Sequence, residues 1–134
     1  MECIFCKIVE GKIPCSKVYE DKNTMAFLDI NPTKKGHTLV IPKQHHATLV
    51  DVPDHLLHEL IVAVKKIAPA VQAATNAQGL NFNLNMHPAA GQSVMHAHFH
   101  IIPRQDNDGL KLWPQGKYDA GEMDQMTKKI LEYI

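Results

Sequence analysis

The chain has no excess of charge of either sign. Its 14 Lys and Arg balance 14 Asp and Glu, so no net field draws it onto nucleic acid or an anionic membrane surface. No apolar run approaches the roughly 20 residues that span a bilayer. Three cysteines in 134 residues are too few for a disulfide framework. The N-terminus has no basic stretch leading into an apolar one, so no secretory signal is expected and the cytoplasm is the expected compartment. There is no P-loop and no acidic cluster of the kind that holds Mg²⁺, which argues against a catalytic metal. No internal repeat, linker or low-complexity segment breaks the chain. What remains is length for one compact domain, residues 1–134, with a real core, and a high count of nine histidines.

Three of those histidines stand in the run His96-Ala97-His98-Phe99-His100-Ile101-Ile102. On an extended strand, alternate side chains share a face. The three imidazoles therefore share one face, and Met95, Ala97, Phe99 and Ile101 take the core side. Just upstream, Ala90-Gly91-Gln92-Ser93 is a small, flexible turn whose backbone amides can approach a ligand closely. Such a row beside such a turn suits either metal binding or gripping a phosphate while one ring attacks it.

The rest of the chain supplies a frame. Ile4, Phe5 and Ile8 recur at helical spacing and predict a short helix ended by Gly11. Lys17–Glu20 and Thr24–Leu28 read as a hairpin around Asp21-Lys22-Asn23. The second strand runs into Asp29-Ile30-Asn31-Pro32, where Asp29 can cap a turn or accept hydrogen bonds from a ribose. Gly36 closes a turn, and residues 37–41 form an apolar, central strand. From about Pro53 to Asn76, Leu56, Leu57, Leu60, Ile61, Val64, Ile67, Ala68 and Val71 draw the stripe of a long helix, which Pro69 should kink. The stripe is core or a dimer interface. Leu80, Phe82, Leu84 and Met86 alternate with Asn81, Asn83 and Asn85, a strand with one apolar and one amide face. A last helix, about residues 121–133, carries Met123, Met126, Ile130 and Leu131. The expected class is α+β: an antiparallel meander of about five strands, one long helix and short terminal helices. His46, His55 and His58 read as solvated surface, His87 has no assigned role, and Cys15 reads as an ordinary thiol.

Cys3-x-x-Cys6 could be half a metal site, a redox pair or two small apolar residues. A closed tetrahedral site needs two further ligands, for which His45 and His96 are candidates.

The histidine run, with Gly91-Gln92-Ser93-Val94 before it and Pro103-Arg104 after it, resembles the histidine triad (HIT) family of nucleotide hydrolases and transferases. Cys3-Ile4-Phe5-Cys6-Lys7-Ile8, Ile13-Pro14, Ala26-Phe27-Leu28-Asp29-Ile30 and Gly36-His37-Thr38-Leu39-Val40-Ile41-Pro42-Lys43 are similar to its blocks, in the same order. The tail resembles the family's longer microbial branch. The resemblance implies attack on the α-phosphorus of an adenylyl compound by His98. It makes His100 and Ser93 donors to the phosphoryl oxygens and His37 a ring that orients another. It implies a purine mononucleotide such as AMP held by Ile4, Phe5, Ile8, Phe27, Asp29, Ile30, Asn85, Gly91, Gln92, Ser93, Val94, His98 and His100. It further implies a structural zinc on Cys3, Cys6, His45 and His96, and a homodimer in which the tail shapes the leaving-group side. Two other readings stay open: a metal-dependent hydrolase whose triad holds catalytic zinc, and a non-catalytic nucleotide sensor.

Overall fold

A computed structural model describes residues 2–134. The five strands β1 (Lys17–Glu20), β2 (Thr24–Leu28), β3 (Thr38–Pro42), β4 (Gly79–Leu84) and β5 (Phe99–Arg104) form one antiparallel sheet in the order β1-β2-β3-β5-β4. The helices are α1 (Ile4–Val9), α2 (Asp54–Thr75) and α3 (Glu122–Leu131). The α+β architecture is the one expected. β1 to β3 run as a meander. α2 then carries the chain to the far edge, where β4 forms, and β5 returns between β4 and β3.

Both faces of β2 and β3 are covered, which is why each strand is apolar after its opening threonine. One face takes Ala26, Val40 and Ile101 and packs under Leu60, Ala63, Val64, Ile67 and Val71 of α2. The other takes Met25, Phe27, Leu39 and Ile41 and packs on Cys3 and Phe5 of the N-terminal segment. The period of two divides each strand between a helix-covered side and a site side.

α2 runs on through Pro69, which is exposed. The ring leaves the Lys65 carbonyl without a partner N–H, yet the helix does not break. It ends at Asn76 in the left-handed conformation, φ 52°, a helix-terminating geometry. Gly36, φ +99°, feeds β3 through a turn in which a Cβ would collide with the Thr75 side chain. Only glycine meets both demands there.

Two sequence expectations need correction. The triad strand begins at Phe99, so His96, Ala97 and His98 precede it. Continuing the register of Val40 with Phe99 would pair Ala97 with Pro42, which has no N–H for the Ala97 carbonyl and whose own carbonyl is taken by His96 Nε2 at 2.7 Å. The Ala97 N–H turns instead to the His46 carbonyl at 2.7 Å. Met95, assigned to the core side, lies in the bend before the strand and is 41% exposed. The apolar face of β4 is also open in part, with Phe82 and Met86 exposed beside exposed Ile61 of α2. α3 exposes every residue, including Met123, Met126, Ile130 and Leu131. Among the described residues, no helix is long and apolar enough to cross a membrane.

Candidate functional site

A cavity of about 260 Å³ opens on the site side of the sheet. α1 contributes Ile4, Phe5 and Ile8, the end of β2 and the following turn contribute Phe27, Asp29 and Ile30, and the histidine segment contributes Ser93, Val94, His98 and His100. These come together as the sequence suggested. Ile13, Pro14, Cys15, Leu28, Asn31 and Leu39 complete the wall. Cys15, read as an ordinary thiol, is half-buried there, carried in by the Ile13-Pro14 block beside it. Asn85, Gly91 and Gln92 do not line the cavity. Asn85 lies behind the turn, its Nδ2 3.5 Å from where a Cβ on Gly91 would stand. Gln92 is buried, and its side chain bonds only to backbone.

The hydrogen bonds assign each triad ring a tautomer. His98 Nδ1 is 2.7 Å from the His96 carbonyl. A carbonyl only accepts, so Nδ1 carries the proton and Nε2 keeps its lone pair. The Thr33 N–H donates to His37 Nδ1 at 3.1 Å, so His37 carries its proton on Nε2. That nitrogen is 2.8 Å from His100 Nδ1, which must accept, leaving an N–H at His100 Nε2. The site thus pairs one bare imidazole nitrogen with one N–H donor, with ring centroids 4.7 Å apart. Phe5 stands edge-on to His98, centroids 5.1 Å apart at 88°, and fixes the ring from α1.

Burial keeps these rings neutral. It lowers His100 to about 4. It also lowers His98, against the opposing pull of the His96 carbonyl and Asp29, and lowers His37, which Asp29 partly opposes. A buried imidazole loses more by being charged than by staying neutral.

His96 faces away from the cavity. Its Nε2 donates to the Pro42 carbonyl at 2.7 Å, which leaves Nδ1 as a lone pair. That nitrogen is 3.5 Å from Cys3 Sγ and 3.7 Å from Cys6 Sγ, and Cys6 Sγ is 3.4 Å from His45 Nδ1. The ligand atoms of Cys3, Cys6, His45 and His96 all lie within 4.8 Å of one another. A tetrahedral Zn²⁺ with Zn–S about 2.3 Å and Zn–N about 2.0 Å sets S···N edges near ~3.5 Å. The cluster fits a metal, and a carbonyl that fixes the ligand tautomer is the usual support of such a histidine. Burial, then the adjoining Cys3 thiol, push the Cys6 thiol up to about 11; a dication here would displace its proton.

The reading in which the three triad rings hold one catalytic metal does not fit, because both nitrogens of His96 are directed elsewhere. Asp29, His37 and His100 also cluster. At 2.8 Å, however, the His37 and His100 nitrogens are at hydrogen-bond distance, closer than two ligands on a tetrahedral ion. His55 and His58 are exposed as expected. His46 is not solvated: it is half-buried, with Nε2 shielded and unpartnered.

The sequence model of the HIT domain matches residues 10–107. An uncharacterised HIT-like protein of Methanocaldococcus jannaschii is 44% identical over 128 residues, 96% of this chain and 98% of that one. The adenosine 5'-monophosphoramidase of Schizosaccharomyces pombe is 41% identical over 136 residues, covering 100% of this chain and 99% of the other. Among solved structures, a member of the HIT family from Bacillus subtilis superposes with a TM-score of 0.92 at 41% identity, covering 100% and 98% of the two chains. A Zn-bound histidine triad family protein from Mycobacterium smegmatis gives 0.77 at 37%, covering 99% and 95%.

Proposed function

The chain belongs to the HIT family, and from that premise we propose that it hydrolyses adenylyl compounds at the α-phosphorus, releasing AMP. The observation that carries this is the tautomer of His98: a neutral, buried ring whose bare Nε2 is left to the side that shares a cavity with Ser93 and the N–H of His100. The name of the fission-yeast relative, an adenosine 5'-monophosphoramidase, supports phosphoramidates as one substrate class. Dinucleoside polyphosphates are a second.

In the first displacement, His98 Nε2 attacks phosphorus in line, an N–P bond forms, and the bond to the departing amine or phosphate breaks. The leaving group takes a proton from within the site, for which Ser93 and the triad rings are the available donors. In the second, water attacks the same phosphorus, the N–P bond breaks and its electron pair returns to Nε2. Water gives up one proton, which restores the site donor that protonated the first leaving group, and AMP leaves. Throughout, Nδ1–H stays on the His96 carbonyl, so the ring holds its orientation while charge moves onto it. The Ser93 hydroxyl, the amides after Gln92 and the His100 N–H stabilise the phosphoryl oxygens.

Ile4, Phe5, Ile8, Phe27 and Ile30 form an apolar slot for the purine, and Asp29 receives the ribose hydroxyls. Cys3, Cys6, His45 and His96 hold a structural Zn²⁺, whose four protein ligands leave no position for substrate. The Zn-bound relative supports that assignment. The protein acts as one domain and as a homodimer, in the cytoplasm, where its free thiols stay reduced.

Rapid-quench mass spectrometry with a labelled adenylyl phosphoramidate tests the proposal. An adenylyl adduct on His98 is expected. Turnover with the adduct on another residue, or AMP binding with no turnover in the intact protein, overturns it.

A further inference from the structure

Gln92 is 4% exposed, and the chemistry above gives it no task. A primary amide has one acceptor oxygen and two N–H donors. Here the oxygen accepts the His87 N–H at 2.8 Å, and the nitrogen donates to the carbonyls of Ala47 at 2.6 Å and Val94 at 3.1 Å. Every hydrogen of that amide is spent on backbone, so no donor is left for a ligand.

We infer that Gln92 is a positioning residue: it holds the backbone of residues 93–95 with their N–H groups toward the phosphoryl oxygens, without itself touching substrate. The inference rests on the nucleotide reading above and adds to it the group that shapes the anion site.

Three observations lead there. The Val94 carbonyl takes two donors, Gln92 Nε2 and the His96 N–H at 2.9 Å. In a planar trans peptide, a carbonyl and the following N–H point in opposite directions. Pinning the Val94 oxygen inward therefore turns the Met95 N–H outward. Next, among the described residues, the N–H groups of Ser93, Val94 and Met95 donate to no protein acceptor, although the N–H groups of Gly91, Gln92, His96 and Ala97 on either side all do. Successive amides without acceptors form an anion nest, and Ser93 and Val94 line the same cavity as His98 and His100. Finally, the brace is anchored on Ala47, in the segment that also accepts the Ala97 N–H at the His46 carbonyl and carries His45 of the metal cluster. The turn is thus tied to a fixed part of the fold at both ends.

Gln92→Met keeps the size and removes all three bonds. Gln92→Glu places an acceptor against two carbonyls. For each variant and the parent protein, binding of adenosine and of AMP is measured by calorimetry, turnover with an adenylyl phosphoramidate, and ¹⁵N amide shifts with AMP. The expected result is unchanged adenosine binding, loss of the advantage AMP holds over adenosine, and kcat lower by roughly a hundredfold. In the parent protein AMP should shift the Ser93, Val94 and Met95 amides, and in Gln92→Met these shifts should shrink. An unchanged AMP-to-adenosine ratio with unchanged kcat overturns the inference and leaves the nucleotide reading standing. An equal loss of adenosine and AMP binding also overturns it, since Gln92 would then serve packing alone. Should neither variant fold, amides 93–95 that stay unmoved in the parent while base-slot amides shift overturn it. A parent protein that binds neither ligand removes both readings.

Discussion

His37 Nε2 lies 2.8 Å from His100 Nδ1, and the far side of the His37 ring is closed by the Thr33 N–H at 3.1 Å. The pair behaves as one unit. Protonating either His37 Nδ1 or His100 Nδ1 breaks a bond of this chain, and burial already disfavours both cations.

The pH dependence follows. An unfolded histidine titrates near 6.5, whereas both rings titrate lower in the fold, His100 at about 4. Between those values the unfolded chain binds more protons, so stability falls as pH falls. The contribution of these rings is complete above about 6.5 and is lost on approach to about 4. Urea midpoints across that interval should decline with acid. Replacing His37 with Phe should flatten the decline, and an unchanged slope would refute the assignment. Turnover of the parent should persist at pH 6, where an ordinary histidine is mostly protonated.

His98→Ala should abolish turnover while keeping AMP binding. The slot walls belong to α1, β2 and the turn after β2, none of which rests on the His98 imidazole for its backbone bonds. Without a nucleophile only water remains, so the fall should be at least about a thousandfold. His37→Phe removes one orienting hydrogen bond, and its effect should be nearer tenfold, the equivalent of about 1.4 kcal/mol. The ratio of the two losses separates a ring that bonds to phosphorus from one that steers its neighbour. Steady-state rates and calorimetric AMP titrations give both numbers.

Much of this was legible in the residues themselves. The hairpin bounds of β1 and β2 followed from two short runs on either side of Asp21-Lys22-Asn23, whose residues favour a turn. The metal quartet was half legible: Cys-x-x-Cys marked two ligands and made His45 and His96 candidates, and the family resemblance supplied the full set, whose ligand atoms the fold brings within 4.8 Å of one another. What period alone missed was non-local. The strand start moved to Phe99 because Pro42, a partner across the sheet, lacks an N–H. Gln92 sits in the binding motif yet spends its side chain on the Ala47 carbonyl, 45 residues away in sequence. Cys15 reached the cavity wall through the fold of the Ile13-Pro14 turn, which no spacing rule anticipates.

His87 holds φ 72° and ψ 157°, a region essentially reserved for glycine, where other residues store about 1–3 kcal/mol. Its N–H and carbonyl close the turn onto Gln92, which explains why the strained conformation persists. His87→Gly should relieve the strain but add unfolded-state entropy of under about 1 kcal/mol. A net gain of about 1 kcal/mol in denaturant unfolding is expected. A loss of stability would mean that the exposed imidazole makes a compensating contact.

The thiol of Cys6, pushed up to about 11, is protonated at neutral pH unless a cation claims it. Metal binding should therefore release protons, and affinity should fall steeply as pH drops. Native mass spectrometry should find one zinc per chain, lost in Cys6→Ser. A chelator should lower the melting temperature before it lowers activity. Instant loss of turnover with the fold intact would instead make the metal catalytic.

β4 is the edge strand on one side of the sheet, and an unpaired edge is a template for another strand. Beside it, Leu80 and Phe82 of β4 and Ile61, Val64 and Ala68 of α2 line one apolar groove, with Phe82 48% and Ile61 46% exposed. Continuing the sheet across a two-fold axis would pair β4 with its own copy and bring the exposed Ile61 sides of the two α2 helices together. The fold thus offers one surface on which backbone and side-chain demands are met by the same partner. Phe82→Asp would place a carboxylate in that contact at several kilocalories per mole of desolvation, without disturbing the core of a monomer in which Phe82 is already half exposed. Light scattering should report a dimer for the parent at micromolar concentration and a folded monomer for the variant. A parent that is monomeric under the same conditions sinks the assignment, and a variant that stays dimeric moves the interface elsewhere.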